Sequence, residues 1–142
     1  MWGILIALLS GALMSVQGVF NTEMTKQTSL WLSSAFVQLT ALLVCILAWL
    51  ITDRTNAAVL AQVEPKYMLL SGVIGALITI TVIRAMGSLG PARAAMLIVI
   101  AQLMVAYGIE LLGLFGVEKQ PLEGRKIFGM FLAVTGIVIF KW

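Results

Sequence analysis

Four stretches of this chain, residues 2–20, 30–52, 67–86 and 91–114, are apolar over about the 20 residues that a helix needs to cross a hydrocarbon layer of about 30 Å. Inside such a layer the backbone finds no water, so each stretch must satisfy its N–H and C=O groups internally and is predicted to be a helix. A fifth stretch, 124–140, has a shorter apolar run, 127–140, which suits a helix lying in the interface. It equally suits a span if Arg125, Lys126 and Lys141 extend their charged heads to the surfaces, and that reading is adopted. With 61% apolar and 11% charged residues and a mean hydropathy of +1.08, the composition lies outside the soluble globular range. The expected fold is an all-α integral membrane protein, one domain over residues 1–142 with five transmembrane helices, in contact with membrane lipid.

Aromatic placement supports these limits. Trp2, Trp31, Trp49, Trp142 and Tyr67 all fall near segment ends, where amphipathic rings settle at headgroup level. No basic residue precedes the first apolar run, so helix 1 is expected to be retained and not cleaved as a signal. Cys45 is the single cysteine and reads as a small apolar side chain in helix 2. The longer loops are 53–66 and 116–123; the first, with Pro65 opening helix 3, has room for an interfacial turn over 57–63. The net charge of +3 comes from residues flanking the segments and forms no basic patch, which argues against nucleic acid as a partner.

Catalysis finds little support. There is no histidine, which removes Ser-His and Cys-His nucleophile pairs and histidine-based metal sites. No carboxylates cluster at metal-ligand spacing, and the glycine pairs Gly72 and Gly75, and Gly87 and Gly90, sit in apolar sequence unlike phosphate loops. A non-enzyme without cofactor or metal is expected.

The helix faces are more informative. At 100° per residue, Gly3, Ser10, Gly11, Ser15, Gln17, Gly18 and Asn21 fall on one half of helix 1, and large aliphatic residues on the other. The ladder Gly3, Ala7, Gly11, Ser15 permits close helix approach and reads most simply as packing. Gln17 and Asn21, one turn apart, place two amides where each must find partners or water; interhelical bonding and pathway lining both account for them. Helix 2 has a similar stripe, Ser34, Gln38, Ala41 and Cys45, helix 3 has Gly72, Gly75, Ala76 and Thr79, and helix 4 has Ala95, Gln102, Ala106 and Glu110. Glutamines in three helices suggest a hydrated central cavity, with Ser10, Gln17, Asn21, Gln38, Thr79 and Gln102 as candidate pathway-lining residues.

Two charges intrude on the apolar segments, Arg84 late in helix 3 and Glu110 late in helix 4. Snorkelling explains each. In an antiparallel dimer, however, Arg84 of one chain and Glu110 of the other reach similar depth, which makes them a candidate cross-protomer pair or pair of gates. Five passes put Arg54, Lys66, Lys119, Arg125 and Lys126 on one side and Lys26, Arg84, Arg93 and Lys141 on the other. Orientation follows an excess of Lys and Arg in short cytoplasmic loops, so five against four gives little instruction and both orientations are expected.

Helix 1 ends Ser15-Val-Gln-Gly-Val-Phe-Asn21, and the C-terminal half carries Ala101-Gln-Leu, Gly113-Leu-Phe-Gly116, Glu118-Lys-Gln-Pro-Leu122, Arg125 and Gly129. In length, helix count and these motifs the chain resembles the YdcZ-like five-helix family of the drug/metabolite transporter superfamily. The resemblance implies a half-transporter of the bacterial inner membrane, which pairs with an inverted copy to build a ten-helix inverted repeat around a small-molecule site near the midplane. It implies substrate-facing roles for Gln17, Asn21 and Gln102. Where the family often has Gly before the helix 4 Gln, this chain has Ala101. Small multidrug antiporters of the superfamily use a carboxylate in helix 1; Gln17 stands in that region here, which favours a neutral, zwitterionic or anionic metabolite over a cationic drug. A dual-topology ion channel and a multidrug efflux subunit are the competing readings. Helix 5, with Gly129 and Gly136 a heptad apart, is either a dimer contact or an intramolecular packing element.

Overall fold

The computed structural model describes residues 1–141, and the expectation placed on Trp142 lies outside them. Helix α1 runs Trp2–Gln27, seven residues beyond the apolar stretch that ends at Phe20. Nothing in 21–27 is Gly or Pro, so no residue stops the helix. Lys26 and Glu23, three apart on its last turn, pair at 2.6 Å. Ser29 then caps α2 (Leu30–Thr52) by accepting the Leu32 N–H at 3.2 Å, and the two helices pack as an antiparallel hairpin.

After α2, Arg54 takes a positive φ of 53° and Trp49 Nε1 donates to Thr55 O at 3.0 Å, which ties the loop to the helix end. A 3₁₀ turn, Ala57–Gln62, forms where the interfacial turn was expected, capped by Asn56. Pro65 does not open α3 directly. It caps a second 3₁₀ turn, Lys66–Leu70, which runs into α3 (Ser71–Leu89). Pro91 occupies the first turn of α4 (Pro91–Leu112), where its missing N–H costs nothing. That helix ends two residues earlier than its apolar stretch because Gly113 is left-handed, with φ 65° and ψ 40°. A short 3₁₀ turn, Leu114–Gly116, and an extended segment lead to α5 (Gly124–Lys141), which packs antiparallel on α4.

Among the described residues, four helical segments are long and apolar enough to cross a membrane: α1, α2, Lys66–Leu89 and α4. Helix α5 falls short, since its 18 residues contain Arg125, Lys126 and Lys141 and give a rise of about 27 Å. Trp2, Trp31 and Trp49 all lie within the terminal turns of α1 or α2, as expected of interfacial rings.

The helices group into a unit of Met1–Ser88 and another from Leu89 onward. In α1 and α2 of the first, burial runs opposite to that of a soluble protein. Asn21, Thr22, Ser33 and Ser34 are buried, whereas most Leu, Ile and Val side chains of α1 and α2 face outward. Lipid tails solvate aliphatic side chains as well as a core does, so the groups driven inward are the small and polar ones.

Candidate functional site

In the first unit, the polar residues converge toward the α1–α2 turn. Gly18, Asn21, Thr22 and Thr25 recur at spacings of three, one and three along α1, which keeps them on one face. Gly18 is there because α3 comes close: a Cβ on it would lie 2.5 Å from both Sδ and Cε of Met86. Thr22 Oγ1 turns back to Gly18 O at 2.8 Å, satisfying its hydroxyl within the helix. Thr25 Oγ1 and Ser33 Oγ meet at 2.5 Å across the hairpin, and Ser33 donates onward to Leu30 O at 3.3 Å. Thr25 is therefore the donor of that pair.

One turn further along α2 from Ser34, Gln38 Nε2 donates to Thr79 Oγ1 of α3 at 3.2 Å, and Thr79 in turn donates to Gly75 O at 3.1 Å. Two of the expected pathway residues are thus brought into direct contact. Among the described residues Ser34 Oγ is buried without a hydrogen-bond partner, a group whose desolvation costs about 1–3 kcal/mol. Asn21 is buried, while Ser10 and Gln17 lie on exposed parts of α1. Arg84 is exposed on the last turns of α3.

The second unit holds Gln102, exposed on α4, and Glu110, half-exposed near its end. Glu110 has a partner that the sequence reading did not foresee. Lys126 Nζ lies 3.7 Å from Glu110 Oε2, 3.7 Å from Glu123 Oε1 and 5.6 Å from the centre of the Tyr107 ring. Tyr107 itself is buried, and its hydroxyl accepts the Glu123 N–H at 3.1 Å. The loop between the helices folds back through Gln120 N–H to Glu110 O at 2.9 Å. Gly113, Phe115 and Gly116 all take positive φ in this turn, and a Cβ at Gly113 would sit 3.2 Å from Lys119 Cβ. The Gly-Leu-Phe-Gly motif is therefore the turn that seats Lys126 against Glu110.

Thr22 and Thr25 escape the sequence reading because the polar face of helix 1 was followed only to Asn21, although Gly11, Gly18 and Thr25 recur every seven residues, and Ser33 escapes it because it precedes the helix 2 stripe that starts at Ser34. Lys126 was missed although Glu110 and Lys126 flank the same short connection between antiparallel helices. Among the described residues no three His, Cys, Asp or Glu side chains gather as a metal site would. The chemistry available is hydrogen bonding by uncharged amides and hydroxyls in an apolar setting, plus a Lys–carboxylate cluster at one end of α4.

The model of the family described as "Putative inner membrane exporter, YdcZ" matches residues 2–139. The chain belongs to this family. Neither a curated protein nor a solved structure matches it. As a YdcZ-family member it is a membrane transport protein of the inner membrane, and its helices contact lipid. The motif at Gly113-Leu-Phe-Gly116, on which the resemblance to the YdcZ family partly rested, has a structural basis in the positive φ angles of that turn.

Proposed function

We propose that the chain is one half of an alternating-access carrier, a single membrane domain of five passes that works as an antiparallel dual-topology homodimer and moves a neutral, zwitterionic or anionic metabolite. The observation that carries this reading is the Gln38–Thr79 bond, which sits near the middle of both α2 and the Lys66–Leu89 segment. An amide held at that depth offers hydrogen bonds to a passing solute where inverted-repeat carriers bind their cargo. Ser10, Gln17, Asn21 and Gln102 add further uncharged groups, and no carboxylate is among them to pair with a cationic drug. The family's description as an exporter supports outward movement.

The near-balance of Lys and Arg supports two orientations. A pair of opposed chains makes a ten-helix inverted repeat of the drug/metabolite transporter type, with Arg84 of one protomer at a depth similar to Glu110 of its partner. Lys126 competes for that carboxylate, so a cross-protomer pair would have to share Glu110.

Reconstituted vesicles test the carrier. Saturable flux with counterflow, reduced by Gln17→Ala, Gln38→Ala and Gln102→Ala, is expected; flux without saturation or counterflow would indicate a channel, and wild-type rates in all three variants would remove the proposed lining. Orientation is read separately by labelling Gln120→Cys in a Cys45→Ala background with an impermeant thiol reagent, and about half the chains should react from outside under equal dual insertion.

A further inference from the structure

The α4–α5 hairpin holds a recess at the Glu110 end of α4. Beside Lys126 lies a cavity of about 330 Å³, polar at the end formed by Tyr107, Glu110 and Lys126 and apolar at the end formed by Leu103, Ala106 and Met130. Leu103 and Met130 also wall a second, much smaller recess of about 10 Å³, lined further by Ile100, Ala133 and Val134. The walls shared by the two recesses, Leu103 and Met130, carry the apolar surface on from the charged end as a shallow trough along the hairpin.

We propose that this trough binds one phospholipid whose zwitterionic headgroup carries a primary amine, of the phosphatidylethanolamine class. Charge complementarity selects the headgroup. Lys126 stands between two carboxylates, and its distances of 3.7 Å to Glu110 and Glu123 are longer than the 2.7–2.9 Å of a direct charge-assisted hydrogen bond. All three side chains are 40–48% exposed, so each keeps room for a further partner. A phosphate on Lys126 with its ammonium on Glu110 or Glu123 matches this alternation of sign. The amine must carry N–H, as the primary ammonium of this headgroup does, because a carboxylate accepts N–H bonds, which a quaternary ammonium lacks. Tyr107, the ring that would attract a quaternary ammonium, already faces Lys126.

The trough itself selects a lipid over a soluble zwitterion. Leu103 and Val134 are 46% and 38% exposed along it, and an acyl chain would cover them while the headgroup stays with Lys126, which a soluble zwitterion would not do. Depth agrees as well: Glu110 lies on the last turn of α4 and Lys126 on the first turn of α5, at the level of headgroups if α4 spans.

Native mass spectrometry of the full chain tests the site, with equimolar phosphatidylethanolamine, phosphatidylcholine and phosphatidylglycerol of identical acyl chains. One phosphatidylethanolamine retained in preference to the others is expected, with Lys126→Gln reducing retention about tenfold, as loss of a charge-assisted bond would. Ala133→Trp, which fills the trough, should displace the lipid while leaving the charges intact. Equal retention of the ethanolamine and choline lipids by the wild type, or unchanged retention in Lys126→Gln, overturns the proposal. Displacement of the lipid by equimolar glycerophosphoethanolamine, which has the headgroup without chains, also overturns it and assigns the site to a soluble zwitterion. Circular dichroism checks that the variants fold, and the headgroup comparison on the wild type decides the matter without them.

Discussion

Gln38 of α2 donates its amide N–H to the hydroxyl of Thr79 on α3 at 3.2 Å, and it does so near mid-depth of both segments. Hydrogen bonds between membrane helices contribute about 0.6 kcal/mol on average and up to about 1.7 kcal/mol. Gln38→Leu and Thr79→Val should therefore each lower stability by about 1 kcal/mol, and the double variant by less than their sum. Transport separates the two roles. Thr79→Val leaves the Gln38 amide available to a solute and should preserve most flux, whereas Gln38→Leu should remove it. Equal flux in both variants would make the bond a structural tie alone.

Ser34 leads to an opposite prediction. Its hydroxyl is buried without a partner, so Ser34→Ala removes a desolvated polar group and should raise stability by about 1 kcal/mol in a reversible unfolding assay. Ser34 lies one turn from Gln38 on the same helix, and a conformational step that opens this face would offer its hydroxyl to a passing solute or its water. Flux in Ser34→Ala should fall even as stability rises. Unchanged flux would leave the serine without a role in the pathway.

The existence of the five α-helices was legible in the sequence, for α1 to α4 because a bilayer forces any sufficiently long apolar run to close its own hydrogen bonds, whereas the 3₁₀ turns Lys66–Leu70 and Leu114–Gly116 were not. Helix ends were less legible for a physical reason. Hydropathy marks where apolar sequence stops, but α1 continues to Gln27 through polar residues that are good enough helix formers, and α4 stops at Leu112 because Gly113 adopts a left-handed conformation before the apolar run ends. The site was legible in part. A helical wheel finds Gln38 and Thr79 as polar residues in apolar helices, yet only the packing shows that they touch. The Lys126–Glu110 contact depends on a turn whose positive φ values at Gly113, Phe115 and Gly116 set the register of α5 on α4, and no periodicity encodes that register.

Close approach at Gly18 is the next measurable consequence. Gly18→Ala pushes only the flexible end of Met86, so its effect on thermal unfolding should be small. Gly18→Leu has no such outlet and should cost about 1–3 kcal/mol. Met86→Ala in the Gly18→Leu background should recover part of that loss by emptying the same space. A Gly18→Leu variant as stable as the wild type would mean that α1 and α3 do not approach as described.

Tyr107 fixes the start of α5 by accepting the Glu123 N–H, one of the donors that a helix N-terminus leaves without an intrahelical partner. Tyr107→Phe keeps the ring beneath Lys126 and removes the acceptor. The bond is worth about 1 kcal/mol, so amide exchange at Glu123 and Gly124 should accelerate about fivefold, with α1 and α2 unaffected. Unchanged exchange at these two amides would show that the α4–α5 turn holds without the tyrosine.

Charge balance supplies the sharpest test of the antiparallel pair. Gln62→Lys with Gln120→Lys adds two positive charges to the side that already has five, and should drive nearly all chains into the orientation that keeps this side cytoplasmic. Gln27→Lys with Ser88→Lys, combined with Lys66→Gln and Lys119→Gln, leaves six positive charges on the side that has four against three on the other, the same excess in the opposite sense, and should drive the reverse. Under the dual-topology reading, each biased chain alone lacks an inverted partner and should lose transport, while co-expression of the two supplies both orientations and should restore it. Restoration distinguishes lost pairing from lost folding, because neither variant can supply in trans a function that depends on its own damaged structure. Full activity from either biased chain alone would rule out the antiparallel homodimer and leave a parallel assembly or a separate partner protein.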